Sequence, residues 1–566
     1  MSGPLRGKVR AVPAENSSAP ASAPSPRSGG RGAALVAAGI LASRLFGLVR
    51  ERIFAHYLGN SSAAAAFKAA LRIPNFLQNL FGEGVLSASF IPVYARLLGE
   101  KRDQEADEVA GAVLGLLAAA AALLVAVGVA ATPAFIDLIA PGFEGETRHL
   151  TIQLVRILFP GAGLLVLSAW CLGILNSHRR FLVSYSAPVL WNLAIVAALV
   201  ASGRRASLDR IAQNAAWGAV VGSLLQLGVQ IRPVLRLLGR LRISLSLASS
   251  HVRQVARNFV PVVIGRGVVQ VSAYLDVVYA SLVSERAVAA LAYAQTLYLI
   301  PVSLFGMAVS AAELPEMART TGEGEELAAR LRVRIDGGLA RIAFFVIPSA
   351  ACFFLLGDVV SGALLQTGRF GSADTRYLWY LLMGSAIGLV AATQGRLYAS
   401  AFYALKDART PLVFAVIRVV LTAALAYWSA LYLPGELGLP RPMGAVGIVA
   451  TTGAAAWIEF LLLQRGLRRR IGPTGLSVSL SARLWGAALL STGAGLTVKM
   501  ALVHRFGPAT GSALEWGGRL LPMPQLHPVL TAVAVLLPAG GIYLAATVLL
   551  RVPEAASLVR RFTRRR

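Results

Sequence analysis

The sequence predicts an all-α polytopic membrane protein with about fourteen transmembrane helices, arranged as two six-helix lobes followed by two C-terminal helices. Hydrophobic residues make up 56% of the 566 residues and charged residues only 14%, which is too little charge for the surface of a soluble chain of this length. The apolar residues also occur in long runs, such as 109–140, 182–201 and 529–550. Because a helix of about 20 residues crosses the hydrocarbon layer, each run is long enough to span a membrane.

Apolar segments can be counted along the whole chain. They begin near residues 33, 62, 108, 150, 182, 210, 258, 287, 338, 377, 411, 443, 482 and 528. An even number of crossings places both termini on the same side of the membrane.

The charge of the chain follows this topology. With the N-terminus in the cytoplasm, the tails and cytoplasmic loops hold about 33 Lys and Arg residues, against about 10 in the opposite loops. The net charge of +27 therefore reflects the positive-inside rule, and no compact basic domain points to nucleic acid as a partner. We expect both termini to be cytoplasmic.

The domain organisation follows from the helix count and composition. Residues 1–32 form a Ser-, Pro- and Arg-rich segment that predicts a disordered basic cytoplasmic tail. Residues 33–240 form the N-terminal lobe, 241–472 the C-terminal lobe, and 473–552 the two extra helices. A basic cytoplasmic tail follows at 553–566.

An internal repeat relates the two lobes. Thr147 and Arg148 precede the fourth segment, and Thr375 and Arg376 precede the tenth, 228 residues later. Each long helix is followed by a short basic turn, at 176–180 and 406–409. Six helices in each half predict a parallel repeat about an axis along the membrane normal, as in two-lobed transporters.

Charge inside the membrane is the feature most informative about function. A charged side chain at the centre of a spanning helix costs about 2.5–3.5 kcal/mol and is expected to face a cavity or a partner. Three of the basic residues, Arg156, Arg341 and Lys499, lie near predicted helix ends, and snorkelling to the interface is the simpler interpretation for them. The eleven basic residues in apolar segments are Arg44, Arg50, Arg52, Lys68, Arg72, Arg156, Arg266, Arg341, Arg396, Arg418 and Lys499.

The densest group lies in the first two segments. Arg44 and Arg50 are six residues apart and therefore not on one face, while Lys68 and Arg72 share a face at i, i+4. Glu51 is placed to accept hydrogen bonds from these cations. Further along, Pro74 is expected to break or kink the second helix.

These residues carry a resemblance to a known family. The motifs are Ser43-Arg44-x-x-Gly47-x-x-Arg50-Glu51, Arg72-Ile73-Pro74-Asn75, Gly82-Glu83-Gly84, Ser89-Phe90-Ile91-Pro92, Pro301-x-x-Leu304-Phe305-Gly306 with Glu313-Leu314-Pro315, and Phe402-Tyr403-Ala404-Leu405-Lys406-Asp407-x-Arg409-Thr410-Pro411. In this order and spacing, over residues 33–550, they resemble the MurJ (MviN) family of lipid II flippases.

The resemblance implies a fold of the multidrug/oligosaccharidyl-lipid/polysaccharide exporter superfamily in the bacterial inner membrane. It also implies a flippase that moves lipid-linked peptidoglycan precursor by alternating access, as a monomer, with the lipid-linked glycan diphosphate and membrane lipids as its partners. The alternatives are an exporter of another polyprenyl-linked glycan and a transport-inactive member that acts as a scaffold. The residues expected to bind the substrate are Arg44, Arg50, Glu51, Lys68, Arg72, Glu83 and Arg266.

The chain departs from the family pattern at four positions. The family commonly has an acid at the position of Ala65, arginines at those of Gln78 and Thr296, and often an acid at that of Leu299. Either the cargo differs, or other residues hold its charge; Arg266 is our candidate for a relocated arginine, because forked guanidinium donors suit a diphosphate.

Coupling to an ion is a further expectation. Asp276, in the middle of the seventh segment, is a candidate site for Na⁺ or H⁺, with Thr452 as a second ligand by resemblance to sodium-binding members. The alternative is a structural salt bridge from Asp276 to Arg266 or Arg418. Membrane potential is another possible energy source.

No enzymatic chemistry is expected. The six histidines show no H-x-x-x-H spacing, and no P-loop is present, so we predict no metal site, no cofactor and no ATP hydrolysis. Glu313 and Glu316, the closest pair of carboxylates to an acid–base arrangement, are better explained as salt bridges beside Arg319.

Overall fold

The computed structural model describes residues 29–203, 205–320, 324–508 and 522–557, and within these ranges the secondary structure is helical apart from two isolated β-bridges. The first half contains α1 (Gly29–Leu58), α2 (Ser62–Phe81), α3 (Glu83–Ser89), α4 (Ile91–Gly99), α5 (Asp103–Ala130), α6 (Thr132–Ile139), α7 (Gly145–Ser177), α8 (Phe181–Ser202) and α9 (Leu208–Leu237). The second half contains α10 (Ser250–Val283), α11 (Glu285–Pro301), α12 (Ala308–Ala318), α13 (Gly324–Leu365), α14 (Ser372–Ala404), α15 (Arg409–Leu431), α16 (Leu433–Glu436), α17 (Gly444–Ile471), α18 (Val478–Phe506) and α19 (Pro528–Leu549). A π-helical segment, Val302–Met307, joins α11 to α12, and a 3₁₀ turn, Arg441–Met443, precedes α17.

The described helices confirm the predicted membrane fold. Eleven helical spans are long and apolar enough to cross a membrane. The charged helices α1, α2 and α10, with 30, 20 and 34 residues, are the other three predicted crossings. The starts agree closely with the sequence except at α10 and α13. These two helices begin earlier than predicted, at Ser250 and Gly324, because charged residues extend each helix before its apolar run.

The two lobes repeat one packing pattern. In the first lobe α1 packs on α8, α2 on α7, and α5, α8 and α9 complete the bundle around α7. The same partners recur six crossings later, where α10 packs on α15, α11 on α14, and α13 and α17 pack on α14. The two six-helix lobes predicted from the sequence are therefore present, although the residue boundaries assigned to them stay predictions.

Basic residues in the left-handed conformation end several helices. Arg179 after α7 and Lys406 after α14 have φ of 58° and 60°, and in both turns the next backbone N–H donates to the carbonyl five residues earlier, at 2.8 and 2.9 Å. This is the Schellman arrangement, usually made by glycine. Lys101 after α4 and Arg551 after α19 have the same conformation, with φ of 58° and 53°. All four turns follow even-numbered crossings and therefore lie on one face of the membrane.

The second helix breaks later than its proline predicts. Of the predicted break or kink at Pro74, the break is wrong, since α2 continues through this residue to Phe81, and the kink stays a prediction. The break comes at Gly82, where a Cβ atom would lie 2.1 Å from the carbonyl oxygen of Gln78. Only glycine allows that approach, so Gly82 sets the boundary between α2 and α3.

The lobes meet closely at the end of α1. Arg52 Nη1 donates to the carbonyl of Ala363 at 2.7 Å, and the backbone N–H of Arg369 donates to the carbonyl of His56 at 2.9 Å. Gly368, directly before Arg369, has φ of +55°, and a Cβ atom at this position would lie 2.3 Å from the carbonyl oxygen of His56. The turn between α13 and α14 therefore packs directly on the first lobe.

The two C-terminal helices attach to the second lobe through charge as well as apolar packing. α18 and α19 pack on each other and on α13. Lys499 Nζ lies 2.5 Å from Asp358 Oδ2, with side chains 0% and 1% exposed, and 5.2 Å from the centre of the Trp379 ring. The snorkelling interpretation of Lys499 is wrong, because the ammonium group has a buried partner on α13. Arg341 instead pairs with Glu313 at 2.5 Å and stays half exposed.

Candidate functional site

A buried carboxylate organises the charges of the first two helices. Glu51 on α1 accepts a hydrogen bond from its neighbour Arg50 at 2.7 Å, and its other oxygen accepts from Lys68 on α2. The Glu51 and Lys68 side chains are only 5% and 9% exposed, whereas Arg50 is 19% exposed. The expectation that Glu51 accepts from a second cation is confirmed, and the three groups together carry one net positive charge.

Aromatic rings hold the two cations in place. Lys68 Nζ lies 4.5 Å from the centre of the Phe54 ring and 5.0 Å from that of Tyr293. The Arg50 guanidinium lies 5.0 Å from the centre of the Trp191 ring. Cation–π contacts of this kind are stronger where water is excluded.

Arg50 is also anchored by α8. Its Nη1 donates to Asn192 Oδ1 at 3.1 Å, and Asn192 in turn donates to the carbonyl of Pro188 at 3.1 Å. A guanidinium has five N–H donors in a planar fork, so donors remain for an anion after these bonds and the bond to Glu51 are made.

A second polar chain joins the two lobes. Arg72 on α2 donates to Gln295 on α11, whose amide nitrogen lies 3.5 Å from Asp276 Oδ2 on α10. The Tyr274 hydroxyl also donates to the backbone carbonyl of Arg72, at 2.9 Å. The other carboxylate oxygen of Asp276, Oδ1, is buried and has no hydrogen-bond partner in the described part of the chain.

Of the two salt bridges in the structural alternative for Asp276, the one to Arg418 is not observed, and the one to Arg266 stays a prediction because the Arg266 side chain lies outside the described residues. Arg418 pairs with Glu459 on α17 at 3.0 Å, and the described residues contain no ion pair between Arg418 and Asp276. Thr452, the proposed second ligand of a coupling ion, donates its hydroxyl to the carbonyl of Ile448 at 2.8 Å, so its oxygen keeps lone pairs for another contact.

Of the other predicted substrate-binding residues, Arg44 is described and is not part of the cluster around Glu51. Arg44 lies on an exposed part of α1. The side chains of Glu83 and Arg266 fall outside the described residues, although Glu83 begins α3 and Arg266 lies within α10. These three assignments stay predictions.

The four positions that depart from the family pattern are occupied by uncharged side chains. Ala65 is fully buried, and the Thr296 hydroxyl donates to the carbonyl of Ala292 at 3.1 Å. Leu299 is 48% exposed, and Gln78 is partly exposed near the end of α2.

Sequence reasoning missed the neutral residues that position the charges. Asn192 and Gln295 each stand inside an apolar helix, and a buried amide in such a place requires a hydrogen-bond partner. That signal was available in the sequence. The carboxylates Glu313 and Glu316 behave as predicted, since Glu313 pairs with Arg334 and Arg341, and Glu316 with Arg319 and Arg334.

Two repeated lobes of membrane-spanning helices, with charged side chains between them, define a polytopic membrane transporter. Several solved structures share this fold. One is "Lipid II flippase MurJ, inward closed conformation", with a TM-score of 0.71 and 21% sequence identity, and the match covers 92% of this chain and 99% of that one. Another is an inward-facing multidrug resistance MATE family transporter of the MOP superfamily, with a TM-score of 0.60 and 18% identity, and the match covers 77% of this chain and 98% of that one.

The sequence comparisons then give the family. A sequence model described as "Lipid II flippase MurJ" matches residues 54–512. The "Probable lipid II flippase MurJ" of Rhizobium meliloti is 30% identical over 464 residues, covering 80% of this chain and 82% of the relative. The "Lipid II flippase MurJ" of Burkholderia cenocepacia is 29% identical over 466 residues, covering 80% and 87%. The chain belongs to the MurJ family, and the resemblance seen in the motifs is confirmed.

Proposed function

We propose that this chain is a flippase that carries lipid-linked peptidoglycan precursor, lipid II, across the bacterial inner membrane by alternating access. The observation that carries the proposal is the Arg50, Glu51 and Lys68 cluster, held inside the membrane with Arg50 partly open to an anion. A diphosphate that leaves water requires compensating positive charge, and a positioned guanidinium supplies it with two parallel hydrogen bonds.

The same cluster provides an answer to the missing family arginines. The carboxylate of Glu51 neutralises one of its two cations, so the other is left to balance an incoming phosphate. Arg72, which bonds to Gln295 of the other lobe, adds a second cation. In this proposal, Lys68 and Arg72 lie on the same side of α2, and that side both binds the cargo and contacts the other lobe.

For coupling we propose Asp276 as the site of a proton or Na⁺. Its unpartnered Oδ1 supports this assignment, because a buried carboxylate oxygen is costly without a partner. Binding of a cation there would compete with the hydrogen bond from Gln295 and so act on the chain that reaches Arg72. Transport by Asp276→Asn that keeps the wild-type dependence on pH and Na⁺ would contradict this role.

We further propose that both termini are cytoplasmic and that the chain acts as a monomer. The four basic helix ends, which share one face of the membrane, support this orientation.

The test of cargo binding is genetic complementation of a flippase-depleted bacterium. We expect Arg50→Ala to abolish growth while the variant accumulates in the membrane at the wild-type level, because Lys68 still neutralises Glu51. Arg50→Lys should rescue poorly, since an ammonium group lacks the planar fork.

The matched control is Arg319→Ala, which removes an arginine that is 80% exposed and weakly paired. It should complement fully. Loss of membrane abundance in Arg50→Ala, with loss of growth in proportion, would instead assign the cluster a structural role and leave the alternative of a transport-inactive scaffold.

A further inference from the structure

The connection between the two lobes is an extended segment that lies along α5. It leaves α9 after Leu237 and reaches α10 at Ser250. The backbone N–H of Arg240 donates to Asp107 Oδ2 at 2.9 Å. Added Cβ atoms at Gly111 and Gly115 of α5 would lie 2.1 and 2.2 Å from backbone carbonyl oxygens of this segment, at residues 242 and 244.

The two glycines are spaced to fit such a strand. Four residues of helix rise about 6 Å, and two residues of extended chain span about 6.6 Å, so successive carbonyls on the same side of the strand meet successive glycines. Gly115 lies about 10 Å along the axis beyond Glu108, the last charged residue of the first turns of α5. The segment therefore enters the level at which α5 is already apolar.

The outer side of the segment is apolar. Ile243, Leu245 and Leu247 alternate along it and are 66%, 64% and 49% exposed. Alternation with a period of two places these three side chains on one side of an extended chain. Each of the three side chains is largely exposed, although Ile243 Cγ2 also lies close to α5 at Gly115.

The backbone of the segment has few protein partners: among the described residues, the N–H of Arg240 donates to Asp107 and that of Ala248 to Ser246 Oγ. Between Leu241 and Leu247, no backbone group hydrogen-bonds to the backbone of another described residue. Arg240 and Arg242 are exposed and form no ion pair within the described ranges. Unpaired backbone groups at membrane depth are costly unless a polar group satisfies them.

The charge of this region differs from that of the basic surface near the start of α13. Near the start of α13, arginines are paired with acids, as in Arg330–Glu326 at 2.5 Å and Arg332–Glu325 at 2.5 Å. By contrast, Arg232, Arg236, Arg253 and Arg257, which flank the extended segment, are exposed and have no ion pair among the described residues. Six unneutralised guanidiniums therefore surround an apolar strand.

We propose that residues 238–249 form a binding site for the head groups of anionic phospholipids in the cytoplasmic leaflet. The three apolar side chains lie among the acyl chains, while Arg240, Arg242 and the free backbone N–H groups bind phosphate oxygens. Charge complementarity selects anionic over zwitterionic lipid. The site is distinct from the cluster around Glu51 and does not depend on the identity of the cargo.

The test uses the full-length protein in nanodiscs of phosphatidylcholine with increasing phosphatidylglycerol, with bound lipid counted by native mass spectrometry. Each basic residue near an anionic surface changes the binding free energy enough for about a five-fold change in affinity, so Arg240→Gln with Arg242→Gln should weaken phosphatidylglycerol binding about thirty-fold. The matched control, Arg330→Gln with Arg334→Gln, removes two arginines that are paired with acids at 2.5 and 3.0 Å and should change it less than about three-fold.

Equal retention of phosphatidylglycerol by the two double variants would overturn the proposal. So would displacement of the lipid from this site by a polyprenyl diphosphate at the same concentration, because the occupant would then be the cargo.

A second measurement keeps the native arginines. A fluorophore at Leu247→Cys, in a chain with Cys171→Ala and Cys352→Ala, should be quenched by lipid-attached quenchers and protected from aqueous ones when phosphatidylglycerol is present. Full accessibility to the aqueous quencher in that membrane would also overturn the proposal.

Discussion

At the scale of single residues, Glu51 forms ion pairs with two cations from two helices. Its two carboxylate oxygens accept hydrogen bonds from Arg50 and Lys68. These bonds hold both cations beside one carboxylate inside the membrane. The sequence predicted that Arg50, Glu51 and Lys68 belong to one group, because charge in an apolar run needs a partner, but it also counted Arg44, which lies on an exposed part of α1. It could not predict the pairing, since α1 packs mainly on α8 and α2 on α7, and only the long Lys68 side chain reaches Glu51.

A second residue-scale feature lies outside the membrane, in the turn between α14 and α15. Asp407 accepts a hydrogen bond from the Thr410 hydroxyl at 2.6 Å and from its backbone N–H at 3.0 Å, and Arg470 of α17 lies 2.5 Å away. These contacts lower the pKa of Asp407 from 3.8 to about 2, with the Thr410 hydrogen bonds as the largest cause. The motif that carried the family resemblance here is a helix cap.

The pKa of Asp407 predicts how stability depends on pH. Because the pKa is lower in the folded state, the stabilisation is complete above the ordinary value of 3.8 and is lost as the pH falls towards about 2. Wild type should therefore unfold at a higher temperature than Asp407→Asn at neutral pH. The difference should disappear over that acidic window, measured by thermal unfolding in detergent. A difference in unfolding temperature that stays constant across this pH window would contradict the assignment. The variant Asp137→Asn, which removes the partner of Arg148, is measured in the same way as a comparison.

At the scale of helices, the ion pair between Lys499 and Asp358 shows where local sequence reasoning fails. The distance of Lys499 from the end of α18 suggested snorkelling, but its partner is 141 residues earlier in the chain. Asp358 follows a non-helical residue, Leu356, with φ of −126° and ψ of 20°, so the pair lies beside a kink in α13. Helix starts were predictable because apolar run length is a local property, whereas this contact depends on how α18 docks.

The Lys499 pair makes a prediction about the attachment of the last two helices. Lys499→Met should leave Asp358 buried and unpaired, and cost about 3–5 kcal/mol of stability. Adding Asp358→Leu should recover most of the loss, since a buried pair replaced by apolar groups is often neutral. Limited proteolysis of the turn before α18 and thermal unfolding would measure both. If the double variant is as unstable as the single one, the pair does more than neutralise charge.

At the scale of the whole molecule, more of the structure could be predicted from the sequence than at the scale of residues or helices. The period and length of the apolar runs predicted fourteen crossings, and the Thr-Arg pairs and basic turns predicted two related halves, both of which the helix packing reproduces. What the sequence lacked was the contact between halves. The turn at Gly368 packs on His56 through backbone groups, and such contacts leave no signature in side-chain chemistry.

The orientation of the molecule is open to a direct measurement. A reporter that is active only in the periplasm should give no signal when fused after Arg566, and one fused in the turn after α1 should give a strong signal, because crossings alternate direction. A reporter that is active only in the cytoplasm should show the reverse pattern. A periplasmic signal after Arg566 would contradict the fourteen-crossing topology with cytoplasmic termini.

The left-handed helix ends at Lys101, Arg179, Lys406 and Arg551 have a consequence for how the chain is made. A left-handed residue other than glycine costs roughly 1–2 kcal/mol, so glycine is the substitution that the local backbone favours at each of these positions. Each cation, however, complements the carbonyl end of its helix and resists export across the membrane. As the nascent chain enters the bilayer, the same side chain thus opposes translocation and ends the helix that precedes it. The backbone strain at these positions in the folded protein follows from that role during membrane insertion.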